Sequence, residues 1–191
     1  MPQADPVMDF LLTRRSVPAA ALKAPAPAGA ALDTLLTAAL RVPDHGALEP
    51  WRVLLIESGA RPRLAALLRR RGEVLAIPPE KIEKSAQSWL NAPLIVAVVS
   101  APVPSDKAPE KEQVLSAGAV CLSLVNAALA SGWGAAWITG WAAFDRPFVE
   151  DGLGLAAGES IAGFIHLGRC DAAVPDRPRP DLARLSHRLT A

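Results

Sequence analysis

The sequence predicts one globular domain over residues 1–191 that combines helices with buried strands. The chain is 51% hydrophobic and 20% charged, a balance typical of a folded protein with a substantial core. Several segments carry apolar side chains at helical spacing, and short apolar runs bounded by glycine or proline alternate with them. We find no internal repeat and no domain-splitting linker.

The longest predicted helix, residues 112–131, is the centre of the chain. It contains no proline, is rich in alanine and leucine, and has acidic residues in its first turn, where the helix dipole favours them. Apolar residues occupy nearly every face, so we expect burial on most sides. Small residues at 118–119 and at 121 and 123 would let a second backbone approach, and a homodimer interface would explain such burial.

The other elements are assigned from periodicity and from glycine and proline. Gly132 should end the central helix, and residues 133–140 should form a buried strand closed by Gly140. From residue 171, prolines alternate with charges and predict an extended arm over 171–191, either a frayed tail or a strap across a partner chain. Further helices are predicted at 7–15, 30–41, 60–71, 79–90 and about 145–150, and further strands at 52–57, 94–99 and 161–167.

Composition argues against several classes of function. The net charge of +1 provides no basic field for nucleic acid, and the arginines at 69–71 end a predicted helix, where cations are favoured. The apolar runs are too short and interrupted to span a membrane, and residues 1–5 lack the features of a signal peptide. Cys121 and Cys170 have no metal or redox spacing, so we expect reduced thiols and a cytoplasmic protein.

Motifs for familiar chemistries are missing. Gly132 and Gly134 lie between a helix and a strand, the reverse of the order in a dinucleotide fingerprint. There is no P-loop, no nucleophile elbow, no cluster with metal-ligand spacing and no nucleophile–base set. This profile fits an enzyme whose reactive atoms belong to a bound cofactor, and equally a protein without a catalytic role.

Two groups of polar residues could bind a ligand. Arg14, Arg15 and Ser16 converge at a helix end and could grip a phosphate, or they could be solvated helix-end cations. Arg41 and His45 lie on a turn-rich loop at the predicted edge of a sheet, where a histidine is more often a solvated side chain. We expect the chemistry near the strand end at 137–140.

Taken in order, these motifs resemble the FMN-dependent nitroreductase family, and most closely its compact bacterial branch. The resemblance extends from about residue 8 to 170. It is carried by the ordered set of residues 14–16, 41–45, Pro50 and Trp51, 116–118, 137–140 and Gly168.

The resemblance implies an α+β fold with three layers, a mainly antiparallel sheet between helices, and an obligate homodimer with FMN at the subunit interface. Carried over by position, Arg14, Arg15 and Ser16 would hold the phosphate and ribityl chain. Trp137, Ile138 and Thr139 would line the flavin from the same subunit. Arg41 and His45 would come from the partner.

Three positions depart from the family pattern. Glu49 stands where relatives often have glutamine, Ile138 where this branch often has arginine, and Arg169 with Cys170 where a Thr-Pro pair is common. A missing arginine beside the ring would alter the flavin potential or the preferred substrate charge.

The implied activity is electron transfer from NAD(P)H through FMN to a small oxidised acceptor by a ping-pong route, with no catalytic side chain and no metal. Nitroaromatics, quinones and activated alkenes all fit as acceptors. A flavin-binding dimer for storage or sensing is the alternative, and a dimeric interaction module without FMN is a third.

Overall fold

The computed structural model describes residues 5–190. Two short ends lie outside the described residues. Residues 1–4 belong to the segment in which we find no features of a signal peptide, and residue 191 ends the predicted arm. The described helices are α1 (Pro6–Thr13), α2 (Gly29–Ala39), α3 (Arg61–Val74), α4 (Pro79–Asn91), α5 (Glu110–Ala130) and α6 (Leu182–Leu185). The described strands are β1 (Trp51–Ile56), β2 (Leu94–Ser100), β3 (Gly134–Ile138) and β4 (Ser160–Gly168).

The four strands form one sheet in the order β1-β2-β4-β3, and every pairing is antiparallel. Strand β2 is paired on both sides and all seven of its residues are buried, as its uninterrupted apolar sequence predicts. Strand β3 is at the edge, with Trp137 opposite Ile165 of β4. The predicted α+β class and the antiparallel sheet are therefore confirmed.

Helices cover both faces of the sheet and make the predicted three layers. Alternate residues of β2 point to opposite sides. Val96 and Val98 pack with α2 and α5, whereas Ile95, Ala97 and Val99 pack with residues of α3, α4 and the segment 142–155. Each face therefore has its own apolar core.

Helix α5 spans the first core and ends as predicted. Gly132 follows it with φ 76°, and Trp133 N–H donates to Ala128 O at 2.9 Å, which is the geometry of a glycine cap. Val114, Leu115 and Leu122 are nevertheless exposed, so the single chain buries this helix on one side only. It is the one helix among the described residues that is long and apolar enough to cross a membrane, but it packs against α2 and three strands.

Two predicted segments differ from the structure. The helix predicted at about 145–150 is found as a π-helical turn, Phe148–Gly152, which is shifted toward the C-terminus, and a 3₁₀ turn, Trp141–Phe144, precedes it. An ion pair shapes this segment: both nitrogens of the Arg71 fork bind Asp145, and Asp145 also accepts from Phe148 N–H at 3.2 Å. The arm is largely extended, as predicted, but includes the short helix α6.

The ion pair between Arg71 and Asp145 should contribute stability that depends on pH. The Asp145 side chain is 4% exposed, and the hydrogen bonds and charge of Arg71 lower its pKa below the usual range. We expect Asp145→Asn to lower the free energy of unfolding by about 1.5–3 kcal/mol at pH 7, because the hydrogen bonds between the two charged groups are lost. Denaturant unfolding measures this.

The pH dependence has a defined sign. Because folding lowers the pKa of Asp145, its contribution is complete above the unfolded value of about 3.9 and is lost as the pH falls through the folded value. The difference between wild type and Asp145→Asn should therefore begin to narrow below about pH 4 and continue to narrow as the pH falls further. Asp151→Asn, an exposed acid on the same turn, is the matched control and should change little. A difference that does not narrow as the pH falls below about 4 would contradict the electrostatic explanation.

Gly163 on β4 leaves the space in which Trp137 packs. A Cβ atom added there would collide with the Trp137 indole nitrogen and would lie 3.0 Å from Cys121 Sγ. The Trp137 indole N–H donates to Ala162 O at 3.3 Å, so the ring lies along β4. Glycine is required here for a close side-chain approach.

We expect Gly163→Ala to destabilise the fold by about 1–3 kcal/mol, the usual cost of overpacking. In a Trp137→Ala background most of this penalty should disappear, and a double-mutant cycle from denaturant unfolding tests that coupling. Gly59→Ala is the control, since an added Cβ there meets nothing within 4 Å. An equal penalty in both backgrounds would show that Trp137 is not the clashing group.

Candidate functional site

The segment after α1 is held to the edge of the sheet by backbone hydrogen bonds. Val17 N–H donates to Ala135 O on β3 at 2.9 Å. Lys23 and Arg169 exchange two further bonds of 2.8 and 2.7 Å at the end of β4. This pairing brings the predicted residues 14–16 beside the predicted strand end at 137–138.

These residues line one opening, here called the arginine cleft, with a volume of about 410 Å³. Five of the eight predicted site residues meet there: Arg14, Arg15, Ser16, Trp137 and Ile138. The C-terminal arm folds back and adds Arg177 and Arg179, which sequence reasoning missed.

The arginine cleft is suited to an anion. Four guanidinium groups line it, and Arg14 Nε is buried without a hydrogen-bond partner in the described part of the chain. Asp176 lies beside them, 3.1 Å from Arg15 and 2.7 Å from Arg179. The pKa of Asp176 is lowered, first by a hydrogen bond from its neighbour's backbone N–H and then by these two arginines. One carboxylate against four cations leaves a net positive cleft.

A second cavity of about 600 Å³, here called the inner chamber, begins where the arginine cleft ends. Ile138 borders both cavities, and Thr139 and Gly140 continue into the chamber. Helix α4, the 3₁₀ turn and β4 supply the remaining wall, which includes Ser85, Ser88, Trp89, Trp141 and His166. Sequence reasoning did not identify His166, because it lies within an apolar strand.

His45 lies on a separate surface against α5. Its Nδ1 is 2.9 Å from Glu112 Oε2, and both side chains are more than half exposed. Ser116 of α5 fixes the loop, because its hydroxyl donates to Pro43 O at 2.6 Å and accepts from the Trp51 indole N–H at 3.0 Å. His45 and Glu112 line a cavity of about 310 Å³ that opens beside the exposed Leu115.

Arg41 lies in neither of these places. It is exposed and lines a groove along α2 with Asp33 and Thr37. None of the four cavities described for residues 5–190 is lined by both Arg41 and His45, or by either of them together with Arg14.

The three departures occupy distinct environments. Arg169 lies over the Trp133 ring, 4.0 Å from its centroid, and therefore caps the end of the sheet rather than the cleft. Glu49 is exposed, with φ 47° and its N–H bound by Asp44 at 2.8 Å. Ile138 leaves the boundary between the two cavities uncharged.

The thiols and acids offer no alternative chemistry. Burial raises the pKa of Cys121 to about 12, so it stays protonated at neutral pH. Within residues 5–190, no three His, Cys, Asp or Glu side chains are grouped to hold a metal. The arginine cleft can bind an anion, and the strand end beside it can bind a planar group.

Comparisons with known proteins identify the family of this chain. The family model described as "Nitroreductase family" matches residues 11–169. The chain is 35% identical over 161 residues to an Escherichia coli K12 protein named "Putative NAD(P)H nitroreductase YdjA", covering 84% of this chain and 86% of that protein.

Solved structures share the fold at lower identity. A nitroreductase-like family protein from Bacillus cereus has a TM-score of 0.80 at 20% identity and covers 99% of this chain and 98% of its own. A Desulfovibrio desulfuricans protein, crystallised as a nitroreductase candidate in complex with FMN, has a TM-score of 0.75 at 22% identity. The match covers 98% of this chain and 99% of that protein. With the family model spanning the sheet, α5 and the arginine segment, this chain belongs to the nitroreductase family.

Proposed function

We propose that the protein is an FMN-dependent oxidoreductase that transfers electrons from NAD(P)H to a small oxidised acceptor. The observation that carries the proposal is the arginine cleft, where Arg14 has a buried and unpartnered Nε at the edge of an uncharged strand end. The named relative, called an NAD(P)H nitroreductase, and the FMN complex of a structural neighbour support the choice of cofactors.

The residues present fit FMN. Its phosphate matches Arg14, Arg15 and Ser16, since guanidinium forks and a hydroxyl are good phosphate ligands. Arg177 and Arg179 of the arm add to this group. Trp137, Ile138 and Thr139 would border the isoalloxazine ring.

When bound, FMN supplies the redox chemistry by accepting a hydride from NAD(P)H and passing the electrons to the acceptor. The protein's own residues bind, orient and shield. Because one pocket serves donor and acceptor in turn, the kinetics should be ping-pong. No side chain has to act as nucleophile, which agrees with the protonated thiol of Cys121.

The charge of the residues at the strand end is the one feature that indicates which acceptors fit. Nitroaromatics, quinones and activated alkenes are neutral, and the uncharged Ile138 beside the strand end suits neutral acceptors better than anionic ones. Two unpaired thiols, Cys121 and Cys170, agree with the expected cytoplasmic location.

We further propose that the active form is a homodimer. Val114, Leu115 and Leu122 leave an exposed apolar strip on α5, and Trp137 at the neighbouring sheet edge is also exposed. A second copy packed on this strip would bury it and would bring its own Arg41 and His45 toward the cleft. Glu112 would then hold His45 in a defined orientation.

The central prediction is that the purified protein is yellow and contains FMN. Under anaerobic conditions, NADH or NADPH should bleach the flavin absorbance, and an added quinone or nitroaromatic should restore it. Stopped-flow absorbance with each nucleotide measures the rates and the nucleotide preference.

The other outcomes separate the alternatives. A yellow protein that neither nucleotide bleaches would be a flavin store or sensor. A colourless protein that takes up no added FMN would be an interaction module, and the proposal would be wrong.

A second prediction is that each FMN site uses two chains. We expect Arg14→Glu with Ser16→Ala, and separately Arg41→Glu with His45→Ala, to give colourless and inactive homodimers. Losing a hydrogen bond to a charged group costs about 1.5–3 kcal/mol, enough to empty most sites at modest FMN concentration. Circular dichroism checks that both variants fold.

Co-expression with two different tags then tests the arrangement. In the mixed dimer one site carries all four lesions and the other carries none. We expect one FMN and about half of the wild-type activity per dimer, because the symmetry of the dimer leaves one site with all of its native residues. A mixed dimer that stays colourless, while both parents fold, would place all four residues within one chain.

A further inference from the structure

One face of helix α4 is polar and lines the inner chamber. The opposite face is buried in the apolar core, where it contributes Ala86 and Trp89. Lys84 and Ser88, which are one helical turn apart, line the chamber together with Ser85. Among the described residues, none of these three polar side chains takes part in a hydrogen bond or an ion pair, since those of α4 belong to Glu83 and Gln87. The chamber therefore has free polar groups along one wall.

Lys84 is the one charged side chain among the described residues that line the chamber. Its neighbour Glu83 does not pair with it, because Glu83 accepts bonds of 2.9 and 2.8 Å from Arg69 and a third, of 2.7 Å, from Gln87. His166 also lines the chamber, and burial lowers its pKa to about 4, so its ring is neutral at physiological pH. The positive charge of the chamber is therefore on α4.

Two further groups indicate that the chamber holds a polar ligand. Both ring nitrogens of His166 and the indole Nε1 of Trp141 are buried without a partner in the described part of the chain. Unpaired buried polar groups are costly, so a bound molecule or water usually satisfies them. Lys84, Ser85 and Ser88 add an ammonium group and two hydroxyls, which are good donors to phosphate oxygens. The wall thus favours a ligand that is both polar and anionic.

We propose that Lys84, with Ser85 and Ser88, binds the diphosphate of the nicotinamide nucleotide, and that the protein therefore uses NADH and NADPH alike. This inference rests on the proposed electron transfer and adds residues that recognise the donor. In that function the arginine cleft holds the phosphate of FMN, so the anionic part of the donor needs a second cation. Lys84 lines the same chamber as the strand end at 138–140, where the reducing ring of the donor has to arrive.

The covalent structure of the nucleotide favours its diphosphate over the 2′-phosphate of NADPH. One ribose separates the diphosphate from the nicotinamide ring, so both can lie along a chamber of about 600 Å³. The 2′-phosphate belongs to the adenosine ribose, on the other side of the diphosphate. A residue that lines the chamber is therefore better placed for the phosphates near the ring, and these are common to NADH and NADPH.

The test compares donors with and without the diphosphate. NADH and NADPH contain it, whereas benzyl-dihydronicotinamide has the same reducing ring and no phosphate. Anaerobic stopped-flow bleaching of the flavin gives an apparent dissociation constant and a limiting rate for each donor. ADP-ribose has the diphosphate but no nicotinamide, and its calorimetric titration into the protein saturated with FMN is a readout that does not require electron transfer.

We expect Lys84→Gln to weaken the binding of NADH, NADPH and ADP-ribose by about tenfold each, the effect of one lost hydrogen bond to a charged group. The limiting rates, and the dissociation constant of benzyl-dihydronicotinamide, should equal those of wild type. Lys84→Arg keeps the charge and should retain most of the affinity. Lys81→Gln is the matched control, since Lys81 is an exposed lysine of α4 that does not line the chamber.

Three results would overturn the inference. A loss of affinity confined to NADPH would assign Lys84 to the 2′-phosphate. An equal loss with benzyl-dihydronicotinamide would mean that the substitution disturbs the whole chamber. An unchanged affinity for ADP-ribose would place the diphosphate elsewhere. A wild-type protein that benzyl-dihydronicotinamide does not bleach would instead contradict the proposed electron transfer, and the ADP-ribose titration would still test Lys84.

Discussion

The hydrogen bond from Val17 N–H to Ala135 O determines where the arginines of the N-terminal segment lie. Helix α1 buries none of its side chains in the chain, so it cannot position Arg14 and Arg15 by packing. The edge of β3 does so instead, by accepting one backbone bond from the residue that follows Ser16. The arginine cleft therefore depends on the exposed edge of a strand, which explains why the strand end and the phosphate-type residues meet.

Periodicity predicted most of the fold because helices and strands bury their apolar faces regularly. The strand at 94–99 and the helices at 60–71 and 79–90 are found within a few residues of their predicted bounds. The helix predicted at 145–150 is found as a π-helical turn that begins at Phe148. Asp145 lies before this turn, where its carboxylate binds Arg71 and also accepts from the Phe148 N–H, as a residue at a helix start does.

Part of the candidate site could be predicted from the types and order of its residues. The rest depends on how the folded chain brings distant segments together. Arg14, Arg15, Ser16, Trp137 and Ile138 were identified from motifs, and they do line one cleft. The arginines of the arm were missed, because alternating prolines predict an extended chain but not the surface it returns to. His166 was missed because the apolar residues around it predict only a buried strand. The sequence predicted a second chain against α5, but it did not show which side of this all-round apolar helix its own chain leaves exposed.

Asp176 gives the arginine cleft an internal counter-ion. Its carboxylate contacts Arg15 and Arg179, so these cations are already partly neutralised by the protein itself. A phosphate bound there would compete with that carboxylate for Arg15 and Arg179, and this competitor is a side chain rather than a dissolved ion. Anion affinity in such a cleft depends less on ionic strength than at a bare cluster of arginines, where each bound phosphate competes with free ions. The arm therefore supplies a carboxylate that competes with any bound anion for the arginines of the cleft.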